Sequence, residues 1–199
     1  TGRALRMLPS QTIPFADFAG MFPEGRVLSR ETGFRRDYGK NPYRGYEFGD
    51  GPIMPVKPLR RTSLRPMDKL VVIKDGKGFR AHPVSRLARS GVAEDRIDGR
   101  PVAVLYSSEG LSPVDASDMA LSRKAGSVGV FAAEHEGKLL RFRRTKNRME
   151  DRETGSVWSV TGVAVSGPLK GSRLKPVEHG VYFVFAWLAF EPGTLVLGE

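Results

Sequence analysis

The chain has 199 residues, 40% of them hydrophobic and 27% charged, with 23 glycines, 14 prolines and no cysteine. This length allows one large domain or two small ones with a proper hydrophobic core. The glycine and proline content favours a loop-rich β or α+β fold over a helical bundle. The lack of cysteine excludes disulfides, thiolate zinc sites and a cysteine nucleophile. No apolar run approaches the roughly 20 residues that a membrane-spanning helix needs.

The formal net charge is +10, and the first half of the chain carries nearly all of this excess. Residues 1–100 contain 20 Lys and Arg against 11 Asp and Glu. Such a balance attracts polyanions such as nucleic acid, anionic lipid or acidic polysaccharide. Arg141 and Arg143 flank Phe142, as on a strand with one buried face, so a solvated basic face is the simpler interpretation.

The two ends of the chain resemble each other at a constant offset. Each is predicted to form a strand, a linker and a short helix closed by proline. The alternative is chance similarity of two short amphipathic segments. The six agreements are Gly2 with Gly171, Leu5 with Leu174, Phe18 with Trp187, Pro23 with Pro192, Val27 with Val196 and Leu28 with Leu197. The predicted strands are Leu5–Leu8 and Leu174–Val177, and the predicted helices are Phe15–Phe22 and Tyr182–Phe190.

Residues 29–66 are rich in Gly, Pro, Arg and Tyr and lack a sustained period of 2 or 3.6. We interpret this stretch as a connector that wraps along the surface. Its alternation of basic and aromatic residues would also suit single-stranded nucleic acid or sugar.

Two hairpins are predicted next. The strands Leu70–Lys74 and Gly78–His82 flank Asp75-Gly76, and Asp98-Gly99 leads into a central apolar strand, Pro101–Tyr106. Between the hairpins, Pro83 starts a helix over Val84–Arg89 that Gly91 ends. Glu94 and Asp95 are placed in a turn before the central strand. A further strand pair is predicted from Val128–Phe131 and Lys138–Arg143, joined around Glu136-Gly137.

Residues 147–175 form a strand-and-turn stretch, with β-branched residues interrupted by glycines. Its largest apolar group is Trp158. The polar cluster Asp151–Thr154 precedes this tryptophan. The simpler interpretation is a turn whose Asp and Thr side chains bond nearby backbone N–H groups. The alternative is a carboxylate pair placed beside an aromatic wall for a ligand.

Four motifs stand out among the predicted elements: GFRAHPVSRL at 78–87, EDRIDGRPVAVLY at 94–106, SVGVF at 127–131 and MEDRETGSVWSVTGVAVSGPLKGSRLKPV at 149–177. These motifs resemble the bacterial and archaeal family known as domain of unknown function 3179. The segment LSRETGFRRDYGKNPYRGY at 28–46 is similar to the part that joins two units in longer members.

The resemblance implies a tandem arrangement. Residues 1–28 would be the tail of a preceding unit, 29–66 the connector, and 67–199 one complete β-rich unit. It also implies an extracytoplasmic location, either periplasmic, secreted or lipoprotein-anchored. Many units of the family carry two cysteines after the strand matching Val102–Tyr106, where this chain has Ser107-Ser108-Glu109-Gly110. Any thiol chemistry of the family is therefore lost here.

The fold class that we predict is α+β, a mainly antiparallel sheet or partial barrel with a few short helices. Gly2–Leu28 is expected to pack on the same core as Gly171–Leu197, related by approximate symmetry, or to swap into a neighbouring molecule. The expected partners are a preceding repeat unit of the same protein or a second copy of the chain, together with an anionic ligand.

Eight residues are candidates for function. Their carboxylates and imidazole would serve as general acids or bases, and the aromatic and other polar groups would bind a ligand. The histidines His82, His135 and His179 form no metal-ligand pattern, so neither a metal site nor a cofactor is expected. The catalytic candidates are His82, Glu94, Asp151 and Glu153, and the ligand-binding candidates are Tyr106, Glu109, Arg152 and Trp158.

Three functions remain open. The favoured one is a non-catalytic module that stabilises a tandem partner or binds an extracellular ligand. The second is a hydrolase or transferase acting on a sugar or other anionic substrate. The third is polyanion or nucleic-acid binding, for which affinity falls steeply with salt. Candidate groups that converge in a pocket near Trp158 would favour the enzyme, whereas carboxylates scattered around a filled interior would favour the module.

Overall fold

The computed structural model describes residues 8–49, 51–53, 56, 61–76 and 78–198. Within these ranges, no helix is long and apolar enough to cross a membrane. The helices are α1 (Phe15–Met21), α2 (Val84–Ser90), α3 (Val184–Leu188) and a 3-10 turn at Met119–Leu121. The strands are β1 (Lys69–Asp75), β2 (Gly78–Pro83), β3 (Val92–Ile97), β4 (Arg100–Ser107), β5 (Ser127–Ala132), β6 (Glu134–His135), β7 (Lys138–Leu139), β8 (Phe142–Thr145), β9 (Arg148–Asp151), β10 (Val157–Trp158), β11 (Ala164–Ser166), β12 (His179–Phe183) and β13 (Leu195–Val196).

The strands form several small sheets. Their orders are β12-β1-β2-β13, β3-β4-β5 and β11-β10-β9-β8, and β6 and β7 add a two-stranded ribbon. Strand β13 runs parallel to β2, and the other pairs are antiparallel. This arrangement confirms the predicted α+β class. In the described residues the sheets do not close into a barrel.

Local turn signals located two hairpins and the end of α2 correctly. The hairpin around Asp75-Gly76 pairs β1 with β2, and Asp98-Gly99 joins β3 to β4 with both φ angles positive. Positive φ at both turn positions is the geometry that suits a two-residue hairpin. Gly91 ends α2 in the left-handed region, and its N–H donates to the Leu87 carbonyl over 2.7 Å.

Two of the predicted placements are wrong. Glu94 and Asp95 lie inside β3, where they oppose Ala103 and Val102 of β4, rather than in a turn. The two-residue turn lets pairing begin directly at Ile97, and the charged middle of the strand is neutralised by distant segments. Strand β5 pairs with β4 instead of with 138–143, which divide between the β6–β7 ribbon and β8.

The predicted strand Leu174–Val177 is also wrong. The segment makes one isolated bridge, from Pro176 to Phe131, with the Lys175 carbonyl and the Val177 N–H bonded on either side. Proline has no N–H with which to continue a ladder. The predicted helix Tyr182–Phe190 is shorter, because its first two residues complete β12.

The N-terminal helix is confirmed at Phe15–Met21. The strand predicted before it falls largely outside the described residues, and Leu8 lies in no strand. Val196 belongs to β13, whereas its repeat equivalent Val27 lies in no strand and is 71% exposed. The equivalence of the two ends stays a prediction.

Three clusters of buried residues form the core. The first surrounds Trp158 and Phe131, the second lies between the sheets of β1 and β4, and the third lies under α3. Ile13 packs on the first cluster together with Leu174, whereas Val196 belongs to the third. The N-terminal segment therefore meets Arg173 and Leu174 at the first cluster, where Arg173 bonds the Met21 carbonyl, whereas β13 lies on the third cluster.

Part of the predicted connector follows the loop between β4 and β5. The backbone N–H of Asn41 donates to Ser117 over 3.0 Å, and that of Gly45 donates to Asp115 over 2.6 Å. Glu47 is buried and bonds both Ser112 and Lys69. These contacts attach residues 41–47 to the surface of the sheet unit.

Candidate functional site

The candidate site is a cavity of about 520 Å³ beside β3, named here the β3 cavity. Its volume lies in the range of roughly 300–1,000 Å³ that is typical of small-molecule sites. Apolar walls come from the start of β4 and from the segment between β7 and β8, including Pro101 and Leu140. The charged residues of the lining, among those described, are Arg80, Glu94, Asp95, Arg96 and Arg141.

Asp95 joins two side chains of β2. Arg80 donates from Nη2 to Oδ1 over 2.6 Å and from Nε to Oδ2 over 3.0 Å. His82 Nε2 lies 3.1 Å from Oδ2, and the backbone N–H of Arg96 donates to Oδ1 over 2.7 Å. The side chains of Asp95 and His82 are less than 10% exposed. Asp95 is thus an anchor between β2 and β3, with its oxygens already taken by donors.

The protonation states in this cluster follow from burial and charge. Burial raises the pKa of Asp95, but hydrogen bonds from Arg80 and the Arg96 N–H, with the nearby positive charge, bring it below its usual value. Burial lowers the pKa of His82 and outweighs the opposing effect of Asp95. At neutral pH the cluster is therefore an ionised Asp95, a cationic Arg80 and a neutral His82.

Two glutamates accept hydrogen bonds from successive backbone amides at the start of β8. Glu94 Oε1 accepts from the Phe142 N–H over 2.6 Å, and Glu153 Oε2 accepts from the Arg141 N–H over 2.7 Å. Arg141 Nε also donates to Glu153 Oε1 over 2.8 Å. Burial raises the pKa of Glu153, and the bonds from Arg141 outweigh it, so that the pKa is lowered.

Arg96 differs from the other arginines of the lining. Arg80 is paired with Asp95, and Arg141 is paired with Glu153. The exposed side chain of Arg96 donates from Nη1 to the Gly99 carbonyl over 3.0 Å. Within the described part of the chain it forms no ion pair, so its remaining donors can bind a ligand in the cavity.

Asp151 and Trp158 lie in the core and not on a cavity wall. Their exposed fractions are 0% and 1%, and the Trp158 indole N–H donates to Asp151 Oδ2 over 2.8 Å. The Thr154 N–H donates to Asp151 Oδ1 over 2.6 Å, and the Ser156 N–H donates to Thr154 Oγ1 over 3.2 Å. These bonds match the turn interpretation of the cluster.

The other ligand-binding candidates are dispersed. Glu109 pairs with Lys124 over 2.7 Å, and both side chains are largely exposed. Tyr106 is half-buried, which raises its pKa, and its ring lies against Gly126. Arg152 is exposed, and its backbone N–H donates to the Arg141 carbonyl over 2.8 Å. Of the eight candidates, Glu94 lines the β3 cavity. His82 and Glu153 do not line it, but they contact the lining residues Asp95 and Arg141.

Sequence reasoning missed the arginines of the site. Arg80 lies two residues before His82 and therefore on the same face of β2, which is a usable signal. Arg141 was assigned to a basic outer face, which describes its exposure but not its bond to Glu153. Asp95 was noted as a carboxylate, but in a turn.

In the described residues, no group of three His, Cys, Asp or Glu side chains is placed to hold a metal ion. A family model described as "Protein of unknown function (DUF3179)" matches residues 1–194. The chain belongs to this family. Neither the curated proteins nor the solved structures that were searched gave a match. Membership of the DUF3179 family agrees with the motif resemblance and carries no assigned activity.

Proposed function

We propose that this DUF3179 member is a non-catalytic, β-rich module and that its β3 cavity binds a small anionic ligand such as a sugar acid. The observation that supports the proposal is the state of the charged lining. Asp95 and Glu153 are engaged by arginines of the same chain, while Arg96 forms no ion pair within the described residues. The cavity therefore offers positive donors to a ligand more readily than a free base or nucleophile.

An anion suits this lining for two reasons. Arg96 is the arginine of the lining that forms no ion pair among the described residues, and the whole chain carries a net charge of +10. A guanidinium presents its N–H groups in a planar fork that matches a carboxylate. The apolar wall at Pro101 and Leu140 would contact the uncharged part of the ligand.

The competing proposal is a hydrolase or transferase. It is supported by the contact between His82 and Asp95, in which the aspartate is placed like the carboxylate that orients a catalytic histidine. Glu94 on the cavity wall also supports it. Polyanion binding is the third proposal and draws on the net charge alone.

The proposed setting is extracytoplasmic, as the family resemblance implies, with a preceding repeat unit or a second copy of the chain as partner. The exposed side chains of Val27 and Leu28 support a partner on that side. Their repeat equivalents Val196 and Leu197 lie beside β2 in the first sheet and bond to it.

Calorimetric titration with glucuronate tests the ligand proposal, with glucose as the neutral comparison. We expect glucuronate to bind and glucose to bind much more weakly. Arg96→Ala should weaken glucuronate binding about tenfold or more, since a hydrogen bond to a charged group contributes about 1.5–3 kcal/mol. The matched control is Arg148→Ala, an exposed arginine at the turn end of the β8–β9 hairpin, which should bind like the parent chain.

Equal weakening by both arginine variants would contradict a defined site and favour general charge attraction. In that case heparin binding should fall steeply with added salt. Turnover of glucuronides that disappears in Glu94→Gln would instead establish the enzyme proposal.

A further inference from the structure

A second cavity lies under the N-terminal helix and shares no lining residue with the β3 cavity. It has a volume of about 410 Å³ and is named here the α1 cavity. Its walls are mostly apolar and join the N-terminal segment to the first core cluster. They include Ile13, Phe18, Met21, Phe131 and Leu174.

The N-terminal segment covers this cavity through a small number of contacts. Gln11 Nε2 donates to the Val128 carbonyl over 2.9 Å and to the Val160 carbonyl over 3.0 Å. Arg173 Nη2 donates to the Met21 carbonyl over 3.2 Å. Each residue of α1 is half-buried or exposed. The helix is therefore a cover on the body rather than part of its core.

The lining also contains a buried imidazole. His179 is 3% exposed, and its Nδ1 lies 2.7 Å from the Val177 carbonyl, so Nδ1 carries the proton. Burial lowers the pKa of His179, against the effect of the Val177 and Val128 carbonyls, so the ring is neutral at neutral pH. Its Nε2 is then an acceptor, and among the described residues it has no hydrogen-bond partner.

The other polar groups of the lining each have at least one partner, and among them the exposed Arg173 keeps further donors. Thr161 Oγ1 lies 2.7 Å from the Ser159 hydroxyl, and the Arg173 guanidinium lies over the Phe22 ring as well as bonding Met21. A buried polar atom without a partner is costly, and native proteins seldom leave one. The His179 ring lines this cavity, and its Nε2 is a buried acceptor with less than 1 Å² of exposed surface, so a bound molecule would satisfy it after a small shift of the side chains that cover it.

We propose that the α1 cavity binds a small apolar molecule carrying one hydroxyl group, which donates a hydrogen bond to His179 Nε2. The apolar walls would accommodate the body of the ligand, and the imidazole would select its polar end. An ionised carboxylate is excluded as the head group at this nitrogen, because a neutral Nε2 has no proton to donate. The site is independent of the anionic ligand proposed for the β3 cavity.

The test compares 2-naphthol with naphthalene, which has the same ring system without the hydroxyl. We expect 2-naphthol to bind the parent chain about fivefold more tightly or better, as one hydrogen bond of about 1 kcal/mol implies. The ¹⁵N resonance of His179 Nε2 should shift with 2-naphthol and stay unchanged with naphthalene. Equal affinity for the two probes, or an unchanged resonance at saturation with 2-naphthol, would overturn the proposal.

Variants locate the binding. His179→Phe should give both probes the same affinity. If that buried change prevents folding, Phe18→Ala serves instead, because Phe18 lines the cavity from the exposed helix α1 and should weaken both probes. Phe15→Ala is the matched control on the same helix, 67% exposed, and should leave binding unchanged. Full binding by Phe18→Ala, or equal loss in Phe15→Ala, would contradict the site.

Discussion

The indole N–H of Trp158 donates to Oδ2 of Asp151 over 2.8 Å, and both side chains are almost completely buried. Asp151 ends β9 and Trp158 ends β10, so this bond lies across the turn that joins the two strands. Thr154 Oγ1 lies 2.9 Å from each Asp151 oxygen and 2.7 Å from the Ser156 hydroxyl. A carboxylate inside the core is thereby satisfied by donors from its own turn and from the tryptophan.

Replacing Asp151 should destabilise the fold strongly. Asp151→Ala leaves the Trp158 indole and the Thr154 N–H without their acceptor, and each unsatisfied donor costs about 1–3 kcal/mol. We expect the free energy of unfolding in urea to fall by about 3 kcal/mol or more. The matched control is Glu150→Ala, next in the chain and 3.6 Å from Arg143, which should cost less than about 1 kcal/mol. Similar values for the two variants would contradict a structural role for Asp151.

The anchor at Asp95 should matter far more than a surface ion pair. Asp95→Ala leaves Arg80 and His82 without their shared partner at a largely buried position, and breaking a buried pair costs about 3–5 kcal/mol. Because the Arg80 side chain keeps 24% exposure, we expect a loss of about 2–4 kcal/mol in thermal or urea unfolding. Glu109→Ala removes the exposed pair with Lys124 and should change stability by less than about 1 kcal/mol.

Stability should decrease as the pH falls from 7.5 to 5.5. Burial lowers the pKa of both His82 and His179 in the folded chain. Below about pH 6.5 these histidines therefore bind protons more readily in the unfolded chain than in the folded chain. Asp95 and Arg80 are the charged groups that act on His82, and they are included in that lowered pKa. Each histidine lowers the free energy of unfolding by at most about 1.4 kcal/mol per pH unit in this window.

Urea unfolding at the two pH values measures this effect. The carboxylates with lowered pKa, such as Asp95 and Glu153, titrate below the window and contribute little to it. His82→Gln should reduce the loss of stability between pH 7.5 and 5.5. A parent chain that is equally stable or more stable at pH 5.5 would show that these histidines are not buried and neutral.

Gln11 should control the attachment of the N-terminal segment. Its amide approaches β5 at Gly129, where any larger side chain would collide with it. We expect Gln11→Ala to accelerate amide exchange and proteolysis in residues 15–21 while the sheets stay protected. Thr12→Ala, at the exposed neighbour, should leave both rates unchanged. Equal protection in the Gln11 variant would contradict this anchoring.

Local chemistry made much of the fold predictable. Asp-Gly pairs located two hairpins, and Gly91 located the end of α2, because these residues determine the backbone within a few positions. The pairing of strands from distant segments was harder to predict from the sequence. Strand β5 and the 138–143 segment are neighbours in sequence, but the buried face of β5 is better matched by the apolar strand β4. Periodicity identifies such strands without identifying their partners.

The site was less predictable for the same reason. The charge of Asp95 is matched by Arg80, 15 residues away, and Glu94 is held by the Phe142 amide, 48 residues away. Two consecutive acids with distant partners resemble a solvated turn when they are seen in sequence. The α1 cavity brings residues near both ends together, at Phe18 and His179. The similarity of the two ends predicted a shared core but identified neither this pair of residues nor the cavity between them.

The most direct test of the ligand-module proposal is a titration of the ¹⁵N-labelled parent chain with glucuronate, followed through its amide resonances. The proposal predicts saturable shifts that centre on Asp95, Arg96 and Arg141, with the glucuronate recovered chemically unchanged. Shifts spread over the basic surface and abolished by salt, or conversion of the sugar during the titration, would contradict it.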